Sequence, residues 1–143
     1  MKKLRNLFIA LIIASFVATP VFGAVGDLIA KDKLSGSTDG KGIKVAATST
    51  PGTTIHTSVA GTTNFDEVWI WAFNAHTAAV ELTIEWGGTT DPDNILVKTI
   101  PKDDGLFLVI PGLLLQNGGV IKAFAGSGNV IVIYGYVNEL TGG

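Results

Sequence analysis

Cysteine is missing from all 143 residues. With it go a disulfide framework, a cysteine zinc site, a thiol nucleophile and the acylated cysteine of a lipoprotein. Histidine is nearly missing too: His56 and His76 are the only two, and they lack the four-residue helical spacing of a zinc motif. Charged residues make up 15% of the chain, 10 basic against 12 acidic, for a formal net charge of -2. Such a balance offers phosphates no general attraction, so nucleic acid is not an expected partner. Beyond Gly42 no stretch sustains a helical repeat. What the chain has in plenty is glycine, with 18 residues, and apolar side chains, at 47%. That excludes a disordered protein. The length suits one domain of about 100 to 200 residues, and a chain of this size buries roughly two thirds of its unfolded surface.

The first residues differ from the rest. Lys2, Lys3 and Arg5 precede an apolar run from Leu7 to Ala18 that is broken only by Ser15, and Thr19-Pro20 closes it. Val21-Phe22-Gly23 then prepares a cut ahead of Ala24. Residues 1–23 therefore read as a secretory signal peptide, which implies a secreted or periplasmic protein. A retained anchor stays open, because no charge falls between Asn6 and Gly26 and about 20 apolar residues cross a bilayer. A third reading is a buried arm in an assembly. Membrane contact is expected only through residues 1–23, and only if they are uncleaved. Cleavage removes three of the 10 basic groups and none of the 12 acidic ones, leaving a charge of -5, which further disfavours anionic partners.

Residues 24–42 read as a flexible polar arm, because DLIAKDKLSGSTDGKG is rich in Gly, Ser and Asp. Its apolar points are Leu28, Ile29 and Leu34, of which Leu28 and Leu34 could anchor it on a neighbouring subunit. Residues 43–140 read as a single antiparallel β-sandwich, jelly-roll-like, of about eight strands. The expected strands are 43–48, 53–59, 67–74, 80–86, 95–100, 106–110, 120–125 and 130–138. Turn chemistry separates them, including Pro51-Gly52, the GGTTDPDN loop from Gly87, Pro111-Gly112 and Gly126 to Asn129.

Alternation within the strands says which faces are wet. From Val80 to Trp86 the apolar set Val80, Leu82, Ile84 and Trp86 opposes Glu81, Thr83 and Glu85, which places one face in the core and one in solvent. Two other strands are apolar on both faces. Val68, Ile70 and Ala72 oppose Trp69, Trp71 and Phe73; Ile131, Ile133 and Val137 oppose Val130, Val132, Tyr134 and Tyr136. A two-layer sandwich covers one face of each sheet, so the second face calls for another layer, commonly a neighbouring subunit. Trp69, Trp71, Phe73, Tyr134, Tyr136, Leu28 and Leu34 are the interface candidates. Alternating aromatics also stack on sugar rings, so a carbohydrate platform remains the alternative for the tryptophan stripe. Bases are disfavoured, because Asp66 and Glu67 flank the stripe with no basic interleaving.

A search for catalytic chemistry finds no constellation. His56 in a strand and His76 in a turn have no acidic partner close in sequence, and both read as surface or turn residues. Ser127 sits in Ala125-Gly126-Ser127-Gly128-Asn129, which lacks the glycine pattern of a nucleophile elbow and reads as a hairpin turn. Glu81 and Glu85 share a strand face but lie about 13 Å apart, too far for a glycosidase pair. Asp91, Asp93, Asn94, Asp103 and Asp104 fall in two neighbouring loops and could offer oxygens to calcium, but without EF-hand spacing they read first as turn residues. No catalytic residue, metal ligand or cofactor is expected.

Several stretches carry a resemblance: GKGIKVAAT from Gly40, Asp66 to Trp71, Leu82 to Pro92, Ile110 to Leu113, and NVIVIYGYVN from Asn129 to Asn138. In content and order they resemble small virion structural proteins of tailed bacteriophages, particularly marine ones, over about Gly36 to Leu140. The resemblance implies a β-rich component or decoration of the particle, located in the virion and turning over no substrate. Its partners would be copies of itself and a capsid or other virion protein. The expected function is thus a non-enzymatic structural or assembly protein, with an exported carbohydrate- or surface-binding module as the alternative.

Overall fold

A computed structural model describes residues 29–141, all of them in strands, turns and loops with no helix. The expected leader, residues 1–23, and the anchor candidate Leu28 lie outside the described residues. Nine strands run in chain order: β1 Ile29–Lys33, β2 Ile43–Lys44, β3 Thr53–Thr57, β4 Phe65–Asn74, β5 Val80–Trp86, β6 Ile95–Ile100, β7 Phe107–Leu115, β8 Val120–Ala125 and β9 Ile131–Leu140. The expectations for β5, β6 and β8 match to the residue, because in each a run of strand-forming residues ends in strong turn signals.

The strands form two antiparallel sheets. The first has the order β1-β9-β4-β7, with β2 also paired to β9; the second has the order β3-β8-β5-β6. The long pair β4 and β9 is the spine of the first sheet, in unbroken register from Phe65 opposite Leu140 to Asn74 opposite Ile131. Between the sheets lies one apolar core. It takes Val68, Ile70 and Ala72 from β4, Ile131, Ile133 and Val137 from β9, Val80, Leu82 and Ile84 from β5, and Ile121, Ala123 and Ala125 from β8. Each such large aliphatic side chain contributes about 1.5–3 kcal/mol by leaving water. The parity read from the alternation thus selects the inward face correctly in β4, β5 and β9.

Two expectations are corrected. The first is the polar arm. Ile29–Lys33 is a strand whose residues pair with β9 from Leu140 to Tyr136, and Ile43–Lys44 takes the same edge of β9 further along, opposite Ile133 and Val132. Between them the chain leaves the sheet and sends Leu34, fully buried, into the core. The space is made by Gly135, where a Cβ would stand 2.9 Å from Leu34 Cδ1. The Gly36 amide then donates to the Ile55 carbonyl of β3 at 3.0 Å, so the segment ties the two sheets together. Polar composition misled here because β1 is an edge strand with all five residues exposed; one leucine carries its burial.

The second is Pro111-Gly112, expected as a turn. Both residues lie inside β7, where the register with β4 slips between Val68 and Trp69 and again between Ile70 and Trp71. β7 is the outer strand of its sheet, so a proline without an N–H leaves no ladder partner unmet, and Gly112, at φ +82°, absorbs a bulge.

Candidate functional site

Register assembles the aromatic candidates on one face. Trp69 pairs with Tyr136, Trp71 with Tyr134 and Phe73 with Val132. Paired residues of neighbouring strands project to the same side, so Trp69, Trp71, Phe73, Tyr134 and Tyr136 share the outer face of the first sheet. The rings of Trp69 and Trp71 stack with centroids 6.1 Å apart and planes 20° apart, and Trp71 meets Tyr136 at 5.9 Å. Lys31 of β1 places its ammonium 4.3 Å from the centre of the Tyr136 ring. At the same end of the row Asn138 Nδ2 donates to Glu67 Oε2 at 2.6 Å. Trp69, Trp71, Phe73 and Tyr136 are half-buried and Tyr134 is exposed; among the described residues no second layer covers them. Leu34 is the exception among the interface candidates. It sits at 0% exposure inside its own core, so it offers nothing to a neighbour.

The aromatic row continues onto an apolar flank that the sequence did not reveal. Among the described residues, Leu96, Val97, Leu106, Leu108, Leu113 and Leu114 are six of the eight large apolar side chains left exposed. All belong to β6, β7 or the connection between them. Among the described residues β6 pairs only with β5 and β7 only with β4, so in this set the two strands are the outer strands of their sheets on one side of the molecule. The missing signal was topological. Alternation says which face of a strand is apolar, and only the strand order says that a strand has no neighbour.

His56 stands differently from its expectation. It is 4% exposed, and its Nε2 lies 2.8 Å from Asp66 Oδ2. Its Nδ1 accepts the Ser35 backbone N–H at 3.0 Å, which requires the proton on Nε2 and makes that nitrogen the donor to Asp66. Asp66 Oδ2 accepts Val59 N–H as well, at 2.9 Å. Ser35 Oγ in turn accepts Thr57 N–H at 2.7 Å. Serine, histidine and aspartate are thus neighbours, yet the imidazole lone pair is held by a backbone amide and cannot take a proton from the hydroxyl. The arrangement staples the β1–β2 segment, β3 and β4 together and lacks the geometry of nucleophilic catalysis. The acidic partner escaped the sequence reading because it lies ten residues away on the other sheet.

The other polar candidates fall as turn residues. His76 Nδ1 accepts Ala78 N–H at 3.2 Å in a turn organised by buried Asn74, whose Nδ2 donates to Ala78 and Ile100 carbonyls at 3.0 and 2.9 Å. The hairpin expected around Ser127 is corrected: β8 and β9 belong to different sheets, so Ser127 lies half-buried in a loop that crosses from one sheet to the other. Asp91, Asp93, Asp103 and Asp104 are exposed, and among the described residues no group of three or more His, Asp or Glu is placed to hold a metal.

Glu85 is the other surprise. It shares the outward parity of Glu81 and yet is 1% exposed. Its Oε2 accepts the Gly52 N–H at 2.8 Å, because the chain before β3 crosses directly over β8; a Cβ on Gly52 would come within 2.6 Å of the Ala123 backbone. Its Oε1 is buried without a hydrogen-bond partner. Glu85 lines a cleft of about 400 Å³ together with Gly87, Gly88, Thr89, Asn117 and Lys122.

Comparison with known proteins returns no significant match: no protein family fits the chain, and neither a curated protein nor a solved structure is similar to it.

Proposed function

We propose that this chain is a non-enzymatic assembly protein, a jelly-roll β-sandwich that associates with copies of itself in a bacteriophage particle through the outer face of its first sheet and the adjoining β6–β7 edge. The observation that carries the reading is the distribution of apolar surface. An aromatic row on β4 and β9 runs toward a flank that holds six of the eight large apolar side chains exposed among the described residues. Exposed apolar side chains gathered in this way mark interaction surfaces, and aromatics are enriched at the centres of interfaces.

The strand order supports the jelly roll. β2-β9-β4-β7 facing β3-β8-β5-β6 is the order of two nested Greek keys, in which every connection from β2 onward except β5–β6 passes from one sheet to the other. Jelly rolls serve both capsids and lectins, so the fold by itself does not choose a function. The surface favours assembly: stacked tryptophans turn their faces toward each other, which suits packing better than an open platform for a sugar ring. The resemblance to virion structural proteins points the same way.

The test is native mass spectrometry with sedimentation velocity on the purified protein. The expected result is a defined oligomer that dissociates in Trp71→Ser and in a Leu108→Ser, Leu114→Ser double variant while circular dichroism stays unchanged. A monomer at every concentration would overturn the proposal.

A further inference from the structure

We propose that the cleft beside Glu85 is a binding site for a neutral polyhydroxylated ligand, a pyranose unit, separate from the assembly surface and independent of the assembly reading. Two charged groups define it. Glu85, 1% exposed, has one carboxylate oxygen satisfied by the Gly52 amide and the other buried without a partner. Lys122 stands opposite Glu85 in the register of β5 and β8, so both side chains project from the same outer face, and both line the cleft. Lys122 forms no ion pair with Glu85 or with any other described carboxylate. A buried acceptor left unmet costs free energy, and here it lies next to a donor that does not meet it.

The lining explains what would. Thr89 and Asn117 add a hydroxyl and an amide, and Gly87, Gly88, Gly118 and Gly119 from two facing loops line the rest without side-chain bulk. A ligand hydroxyl donates to Glu85 Oε1 while accepting from Lys122, and a neighbouring hydroxyl on the same ring meets Asn117 or Thr89. A zwitterion would bridge the two charges as well, but it would shed the water of two ions in an open cleft and leave the neutral groups unused. A volume of about 400 Å³ falls in the ordinary range for small-molecule sites, about 300–1,000 Å³. The aromatic row lies on the outer face of the other sheet, so binding here would not depend on Trp69 or Trp71.

The experiment is saturation-transfer NMR on the full chain with the methyl glycosides of glucose, galactose, mannose and N-acetylglucosamine, and with glycine as the zwitterion. At least one glycoside is expected to give a saturable signal. Its dissociation constant, read from the saturation curve, should rise about tenfold or more in Glu85→Gln and in Lys122→Met, the loss expected for a hydrogen bond to a charged group, and stay unchanged in Trp71→Ala. Circular dichroism and a melting curve establish that each variant is folded. If Glu85→Gln does not fold, half-buried Lys122 carries the comparison. Three results would overturn the proposal: no saturable glycoside; binding that survives both cleft variants or is lost in Trp71→Ala; or saturation by glycine alone. Oligomerisation, read separately by sedimentation, reports on the assembly reading and not on this one.

Discussion

Gly112 lies beneath the indole of Trp69: a Cβ at that position would stand 2.9 Å from Cζ2 and 3.0 Å from Cε2. The bulge in β7 therefore does two things at once. It places a residue at φ +82°, and it leaves a flat strip of backbone on which the tryptophan rests. Gly112→Ala should cost about 1–3 kcal/mol, combining the left-handed conformation with displacement of the ring. Urea unfolding gives the cost. Tryptophan fluorescence that is identical to the parent protein would show that the ring does not rest there.

Truncating the aromatic row should separate fold from association. Trp69 and Trp71 are half-buried, so Trp69→Ala or Trp71→Ala should cost less than the roughly 3–5 kcal/mol of a fully buried tryptophan, about 1–3 kcal/mol. Loss of association, read by sedimentation, should be the larger effect. A full core-sized loss of stability with association intact would place the rings in structural roles only.

The β1–β2 segment should behave as part of the core. Leu34→Ala removes a side chain at 0% exposure and should cost about 2–5 kcal/mol, while Leu113→Ala, 40% exposed, should change stability by about 1 kcal/mol or less. Denaturation of the two variants side by side checks this. An unaffected Leu34→Ala would return the segment to the status of a free arm.

The His56–Asp66 pair is expected to act as a staple. Asp66→Ala strips the acceptor from His56 Nε2 and from Val59 N–H, both inside a region where Asp66 is 4% exposed. It should cost about 3 kcal/mol. His56→Ala and the double variant complete a cycle whose coupling should exceed about 1 kcal/mol. Additive effects would mean that the two residues act separately.

Replacing the loop aspartates should do little. Asp91→Asn, Asp93→Asn, Asp103→Asn and Asp104→Asn alter exposed residues, so each should shift stability by about 0.5 kcal/mol or less and leave association intact. Calcium titration followed by melting temperature offers the check: a calcium-dependent rise in the parent protein that disappears in these variants would assign the loops a metal.

What the sequence determined by itself is local. Alternation in Val80–Trp86, closed by Gly87-Gly88, fixes a strand and its inward face, because a strand's two sides differ at a period of two whatever surrounds it. The same period puts Trp69, Trp71 and Phe73 on one side of β4 before any partner is known. Tertiary structure alone decided the rest. It made β6 and β7 the outer strands among the described residues, and so exposed Leu96, Leu108 and Leu114; alternation carries no information about which strand stands at an edge. It brought Asp66 to His56 and the Gly52 amide to Glu85, pairs that are distant along the chain and meet only because strands and loops cross. It also buried Leu34 through Gly135, a position whose missing side chain has meaning only once β1, β2 and β9 lie side by side. Strand character follows from each residue and its immediate neighbours, whereas burial of a single polar or apolar group depends on what the whole topology lays over it.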